Sequence, residues 1–152
     1  MSIRENVSSS LKEAMKKKDV KLINALRLII AGIKEKDISS KGKGNSSGIS
    51  EIEIISLLQT MIKQRNASIE MYVKGKREDL ANLEKNENIV IATFLPEQLT
   101  KKEIDQIIIN TIKTTESNSI KDMGKVISFM KDKYNGKMDL GVVSKMIKER
   151  LN

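Results

Sequence analysis

The chain has 152 residues, a length typical of one domain or of two small ones. Apolar residues make up 39% of it and charged residues 32%, proportions typical of globular proteins rather than of disordered or membrane proteins. The sequence contains no cysteine and no histidine, which excludes disulfides, thiolate nucleophiles and imidazole bases. Chemistry based on carboxylates, lysine or hydroxyl groups remains available.

The formal net charge is +8, which favours contact with polyanions such as nucleic acid. Lysine supplies 23 of the 28 cations, so part of the charge is also explained by AT-rich codons. No apolar run approaches the ~18 residues that a membrane span needs, and the first residues lack the apolar core of a signal peptide. We therefore expect no membrane partner and a cytoplasmic location.

Apolar residues recur at helical spacing almost throughout the chain, which predicts an all-α protein. Ile3, Val7, Leu11 and Met15 form the buried stripe of a first helix. Asp19 is a candidate N-cap for a second helix, which is expected to stop before a mobile loop at residues 39–49 that is rich in serine and glycine.

A capping box of Ser50 and Glu53 predicts the start of a long third helix that ends near Gly75. A fourth helix is expected from about Arg77 to Phe94. The following Leu95-Pro96 breaks helical geometry, so we place a domain boundary there. The expected architecture is an N-terminal helical hairpin or bundle at residues 1–95 and a small three-helix domain at residues 96–152, whose helices have candidate caps at Thr100, Ser119 and Asp139.

Arg65 lies in the apolar stripe of the third helix, and Glu84 and Glu87 lie in that of the fourth. If the two helices form an antiparallel hairpin about Gly75, the three charges meet across the interface. The first interpretation is a structural ion network that sets the helix register. The alternatives are an arginine that binds a ligand anion and a two-carboxylate metal or acid/base site, but no third ligand is evident and no metal is expected.

A lysine edge occupies residues 121–137 of the second half. It comprises five lysines and two glycines that would let a ligand backbone approach closely, namely Lys121, Gly124, Lys125, Lys131, Lys133, Gly136 and Lys137. The alternative is an ordinary solvated face. Because aromatic residues make up only 3% of the chain, we expect any RNA to be recognised by its shape and backbone rather than by base stacking. Gly42-Lys43-Gly44 lacks the spacing of a phosphate loop, and no cofactor is expected.

Several segments taken together resemble one protein family. They are Leu26-Arg27, Lys63-Gln64-Arg65, Gly75-Lys76-Arg77 with Leu80-Ala81 and Glu84, Phe94-Leu95-Pro96-Glu97-Gln98-Leu99, and Asp122-Met123-Gly124-Lys125-Val126 through Gly136-Lys137-Met138-Asp139. This order resembles the GatB/YqeY family, and more closely its free-standing YqeY-like proteins, over nearly the whole chain.

The resemblance implies an all-helical fold whose C-terminal part is similar to the tail domain of the tRNA-dependent amidotransferase B subunit. In that enzyme the tail contacts tRNA, which implies tRNA binding here through Gly124, Lys125, Gly136, Lys137 and Asp139 and assigns no catalytic residue. Partners would be tRNA and an aminoacyl-tRNA synthetase or amidotransferase complex. The alternatives are an accessory component of glutamine-dependent amidotransfer, with a carbon–nitrogen ligase activity inherited from the family, and a protein–protein adaptor.

Overall fold

The computed structural model describes residues 2–44 and 46–152, and within these ranges every regular element is helical. The elements, in order, are α1 (Ile3–Lys17), α2 (Val20–Gly42), α3 (Glu51–Lys74), α4 (Glu78–Ala92), α5 (Lys101–Thr114), a 3-10 turn (Ile120–Asp122), α6 (Met123–Lys133) and α7 (Leu140–Leu151). The prediction of an all-α protein is confirmed.

Local capping sets where several of these helices begin. The Ser50 hydroxyl accepts from the Glu53 backbone N–H at 3.2 Å, and the Glu53 carboxylate accepts from the Ser50 N–H at 2.7 Å. This capping box satisfies two backbone donors at the start of α3. Asp19 caps α2 by accepting from the Leu22 N–H, and Thr100 caps α5 by accepting from the Glu103 N–H.

The start of the loop predicted at residues 39–49 is wrong. Residues 39–42 continue α2, because extending an existing helix adds one hydrogen bond per residue and requires no core of its own. At the other end, the Ile49 N–H donates to the Asp37 carboxylate at 2.9 Å. Asn45 lies outside the described residues.

The chain divides into two compact units that meet in sequence at Leu95 and Pro96. In the first unit, α3 and α4 form a hairpin, and α1 and α2 pack with them around one core. The buried side chains of this core are Ile3, Val7, Ala14, Leu26, Ile29, Ile33, Ile54, Leu58, Met61 and Ile91. At about 25 cal/mol per Å² of apolar surface, their burial is the main stabilising contribution to this unit.

The second unit consists of α5, α6 and α7 around a separate core of Ile104, Ile108, Val126, Met130, Met138, Val143 and Ile147. The turn between α6 and α7 is held by the residues that precede α5. The Leu99 N–H donates to the Lys137 carbonyl at 2.8 Å, and the Gln98 side-chain amide donates to the Gly136 carbonyl at 2.7 Å. These bonds position the turn that carries the last part of the lysine edge.

Candidate nucleic-acid interface

The lysine edge begins in a segment that the sequence places only approximately. Ser119 was the expected N-cap of the sixth helix, but its side chain makes no capping bond, and a 3-10 turn precedes α6. Asp122 instead organises this entry by accepting from the Asn118 N–H at 3.0 Å. That backbone hydrogen bond lowers the pKa of Asp122 from its ordinary value. The Asp122 carboxylate is therefore engaged with the backbone beside the first lysine.

All five lysines of the edge are exposed to solvent. Lys121 lies in the 3-10 turn, Lys125, Lys131 and Lys133 lie on α6, and Lys137 lies in the turn that follows. At 3.6 residues per turn, Lys125 and Lys131 point roughly 120° apart around the helix axis. The lysines therefore spread over the exposed half of α6 rather than forming one compact cluster.

Lys125 has a defined partner. Its Nζ donates to the carbonyl of Thr115 at 3.0 Å, and Thr115 is the C-cap residue of α5. A cation at this position satisfies an exposed helix carbonyl and interacts favourably with the negative end of the helix dipole. Because an ammonium group carries three donors, Lys125 retains two for a ligand. This structural role of Lys125 was not evident from the sequence, since it joins residues ten apart across a turn.

The two glycines of the edge differ from each other. Gly124 is exposed near the start of α6, and a Cβ added there would meet no atom within 4 Å in the part of the chain that the structure describes. Gly136 is buried and adopts a positive φ of 78°, a conformation that favours glycine because a Cβ would crowd the backbone. Gly124 therefore leaves open space at the surface, whereas Gly136 shapes the turn that presents Lys137.

Asp139, which the resemblance also indicates, acts at the start of α7. Its carboxylate accepts from the Gly141 N–H at 2.9 Å. The Asp139 side chain thus has a local capping role in the structure.

Arg65 and Glu87 form an ion pair across the α3–α4 hairpin. Arg65 Nε donates to Glu87 Oε2 at 2.9 Å, and the two side chains are 15% and 20% exposed. Arg65 also donates to the Met61 carbonyl at 3.4 Å. Glu84 Oε2 is buried and has no hydrogen-bond partner among the described residues. The hairpin therefore brings Arg65 to Glu87, one turn beyond Glu84 on α4.

No group of three or more acidic side chains within the described ranges is arranged to hold a metal ion. None of the helices described here combines the length and apolar character that crossing a bilayer needs.

Sequence reasoning missed a second polar network, which joins the starts of α1 and α3 to the end of α2. Arg4 donates to both oxygens of Asp37, at 2.7 and 3.0 Å, and also to the Ile49 carbonyl at 3.2 Å. The Arg4 hydrogen bonds and the Ile49 N–H lower the pKa of Asp37 to about 2. The partners are 33 residues apart, so no local spacing rule would have paired them.

The structure thus defines a class: a small all-helical protein in two units, the second of which presents a lysine-rich exposed surface on a three-helix module. A family model described as Yqey-like protein matches residues 4–151. The chain belongs to the YqeY-like family.

Curated relatives match the chain over part of their own length. A protein of Candida glabrata named "Altered inheritance of mitochondria protein 41, mitochondrial" is 36% identical over 91 residues, which is 60% of this chain and 48% of the relative. Proteins of the same name from Lachancea thermotolerans and Saccharomyces cerevisiae are each 30% identical, over 130 and 99 residues. These matches cover 82% and 65% of this chain and 67% and 51% of the relatives. The chain thus spans about half to two thirds of the curated relatives it matches.

These relatives correct one expectation from the sequence. Each is named a mitochondrial protein, so the expectation of a cytoplasmic location is wrong. That expectation rested on the lack of a recognisable apolar signal, and composition alone does not distinguish one aqueous compartment from another.

Proposed function

We propose that this protein is a non-catalytic RNA-binding module that engages tRNA through its second unit. The observation that carries the proposal is the surface of the 3-10 turn, α6 and the following turn, which has five exposed lysines and three aspartates. One of those aspartates, Asp122, is already bound to the backbone. Lysine side chains of this kind make sequence-independent contacts to phosphates.

Membership of the YqeY-like family supports this proposal, because the family's C-terminal part resembles a tRNA-contacting tail domain. Gly124 adds a second supporting feature. It leaves open space on the surface beside Lys125, where a phosphate backbone can approach without meeting a side chain. No residue is assigned a catalytic role. The chain offers neither a cysteine nor a histidine for glutamine hydrolysis or imidazole-assisted proton transfer.

The test is a fluorescence-anisotropy titration of the full chain with total tRNA over a series of salt concentrations. The variant replaces Lys121, Lys133 and Lys137 by Gln. Lys125 is left in place because it also caps α5. A matched control replaces three exposed lysines of α5 and α7, Lys102, Lys145 and Lys148, by Gln, which removes the same charge from other positions of the same unit.

Each phosphate contact contributes roughly 0.7–0.9 to the slope of log affinity against log salt. We expect the wild type and the control to bind with similar slopes and the variant to bind more weakly, with a slope shallower by about 2. Equal losses of tRNA affinity in the variant and the control would mean that net charge alone drives the binding. No binding by the wild type at low salt would overturn the proposal and favour the protein–protein adaptor.

A further inference from the structure

Phe129 is an exposed aromatic side chain in the middle of the candidate interface. Its relative exposure is 37%, so a substantial part of its surface contacts solvent. The neighbouring Tyr134, by contrast, packs against the core. Val126 and Met130, which flank Phe129 on α6, are fully buried. The fold of the second unit therefore leaves part of the Phe129 ring in contact with solvent.

Phe129 lies in a row with three of the lysines. Lys121, Lys125, Phe129 and Lys133 follow one another at intervals of four residues along the 3-10 turn and α6. Residues four apart are neighbours on a helix surface, separated by about 6 Å along the axis. Phe129 thus has a lysine one turn before it and another one turn after it. The ammonium group of Lys125 donates to the Thr115 carbonyl, and that of Lys133 lies 5.7 Å from the centroid of the Tyr134 ring.

Three lysines attract a phosphate backbone, but a phosphate gains nothing from a benzene ring. A nucleobase does, because stacking on an aromatic face strengthens binding by about 5- to 150-fold per base and is tolerant of sequence. We propose that Phe129 stacks on an unpaired base of single-stranded or looped RNA, whose phosphates are contacted by Lys121, Lys125 and Lys133. The inference rests on the proposed RNA binding and specifies the class of RNA that this surface selects.

The low aromatic content by itself favours recognition of RNA by its shape and backbone. One exposed ring among cations is sufficient for stacking, and its position only becomes visible in the structure. In an A-form duplex the faces of the bases are stacked on one another and closed to a side chain, whereas loops and single strands leave them open. The row of Phe129 and three lysines therefore favours unpaired RNA over a duplex.

The experiment uses Phe129→Trp, which introduces the only tryptophan of the chain. Its fluorescence is followed during titration of the full chain with a 12-nucleotide oligoadenylate, a 12-base-pair RNA duplex and inorganic polyphosphate. The polyphosphate supplies phosphates without bases. Val142→Trp, at a 51% exposed position on α7, is the matched control.

Stacking predicts that oligoadenylate quenches Phe129→Trp strongly, that the duplex and the polyphosphate quench it little, and that Val142→Trp does not respond. Equal quenching by polyphosphate and oligoadenylate would overturn the stacking, because phosphate contact alone would then explain the signal.

A second measurement uses anisotropy with labelled oligoadenylate. Phe129→Leu should weaken binding by about 5- to 150-fold, while Phe129→Tyr keeps the ring and should bind like the wild type. Thermal unfolding of both variants shows that each is folded. Salt-dependent binding of tRNA together with unchanged affinity of Phe129→Leu for oligoadenylate would overturn the stacking and leave the proposed function standing. Failure of the wild type to bind any of the RNAs would overturn both.

Discussion

Replacing Gly48 by Ala should destabilise the first unit more than replacing any other glycine with a positive φ nearby. Gly48 has a φ of 84°, and a Cβ added there would lie 2.6 Å from Oδ1 of Asp37, inside van der Waals contact. Asp37 cannot simply retreat, because that carboxylate holds Arg4 at 2.7 and 3.0 Å and the Ile49 N–H at 2.9 Å.

The expected cost has two parts. An alanine at positive φ costs about 1–2 kcal/mol. Loss of one charge-assisted hydrogen bond to Asp37 adds about 1.5–3 kcal/mol before solvent screening, and Arg4 is 42% exposed, so the lower end applies. The free energy of unfolding should therefore fall by roughly 2–4 kcal/mol.

Urea unfolding followed by helical circular dichroism measures this loss. Gly44→Ala is the matched control, because Gly44 also has a positive φ of 95° but a Cβ there would meet no atom of the described residues within 4 Å. Gly44→Ala should lower the free energy of unfolding only by the cost of an alanine at positive φ, about 1–2 kcal/mol. A double-mutant cycle with Asp37→Ala should remove the excess cost of Gly48→Ala. Equal destabilisation by the two glycine variants would refute the steric reasoning.

Three further predictions concern single side chains. Glu87→Gln should lower the free energy of unfolding by about 1–2 kcal/mol because it leaves Arg65 without its ionic partner, whereas Glu84→Gln should cost less, since one Glu84 oxygen is buried without a partner among the residues that the structure describes. Because the pKa of Asp37 lies at about 2 rather than 3.8, its contribution to stability is present above about pH 4 and is lost as the pH falls towards 2, so Asp37→Asn should flatten stability over that window. Gly124→Ala should stabilise the second unit by up to ~1 kcal/mol, because a helix favours alanine and the space is open.

Each of these predictions has a clear contrary result in equilibrium unfolding. Equal costs for Glu87→Gln and Glu84→Gln would contradict the assignment of the ion pair. A variant Asp37→Asn that loses stability between pH 4 and 2 as steeply as the wild type would assign the acid sensitivity to other carboxylates. Destabilisation by Gly124→Ala would mean that the surface beside this glycine is not open.

Much of the secondary structure follows from local sequence. The capping box of Ser50 and Glu53, the cap at Asp19 and the helical spacing of apolar residues act within one or two turns, so they can be identified without the fold. Prediction from local sequence was wrong where a loop and a helix are both compatible with the same residues. At residues 39–42 the serine-rich sequence indicated a loop, but the helix already formed by α2 continued through it.

The candidate interface was predicted only in part. Its lysines are evident from charge and spacing, because an exposed lysine needs no particular partner. The contact of Lys125 with Thr115 and the exposure of Phe129 depend on how the helices of the second unit pack, since the same residues would be placed differently on an isolated helix.

Tertiary packing also decided which charges meet. Arg4 and Asp37 are 33 residues apart, and Arg150 and Asp105, which pair at 2.8 Å, are 45 apart. A hydrogen bond needs its two groups within about 3 Å, a condition that spacing along the chain predicts only over a few residues of one helix. Helix positions and net charge are therefore properties of the sequence, whereas ion pairs and exposed surfaces arise when the helices are brought together.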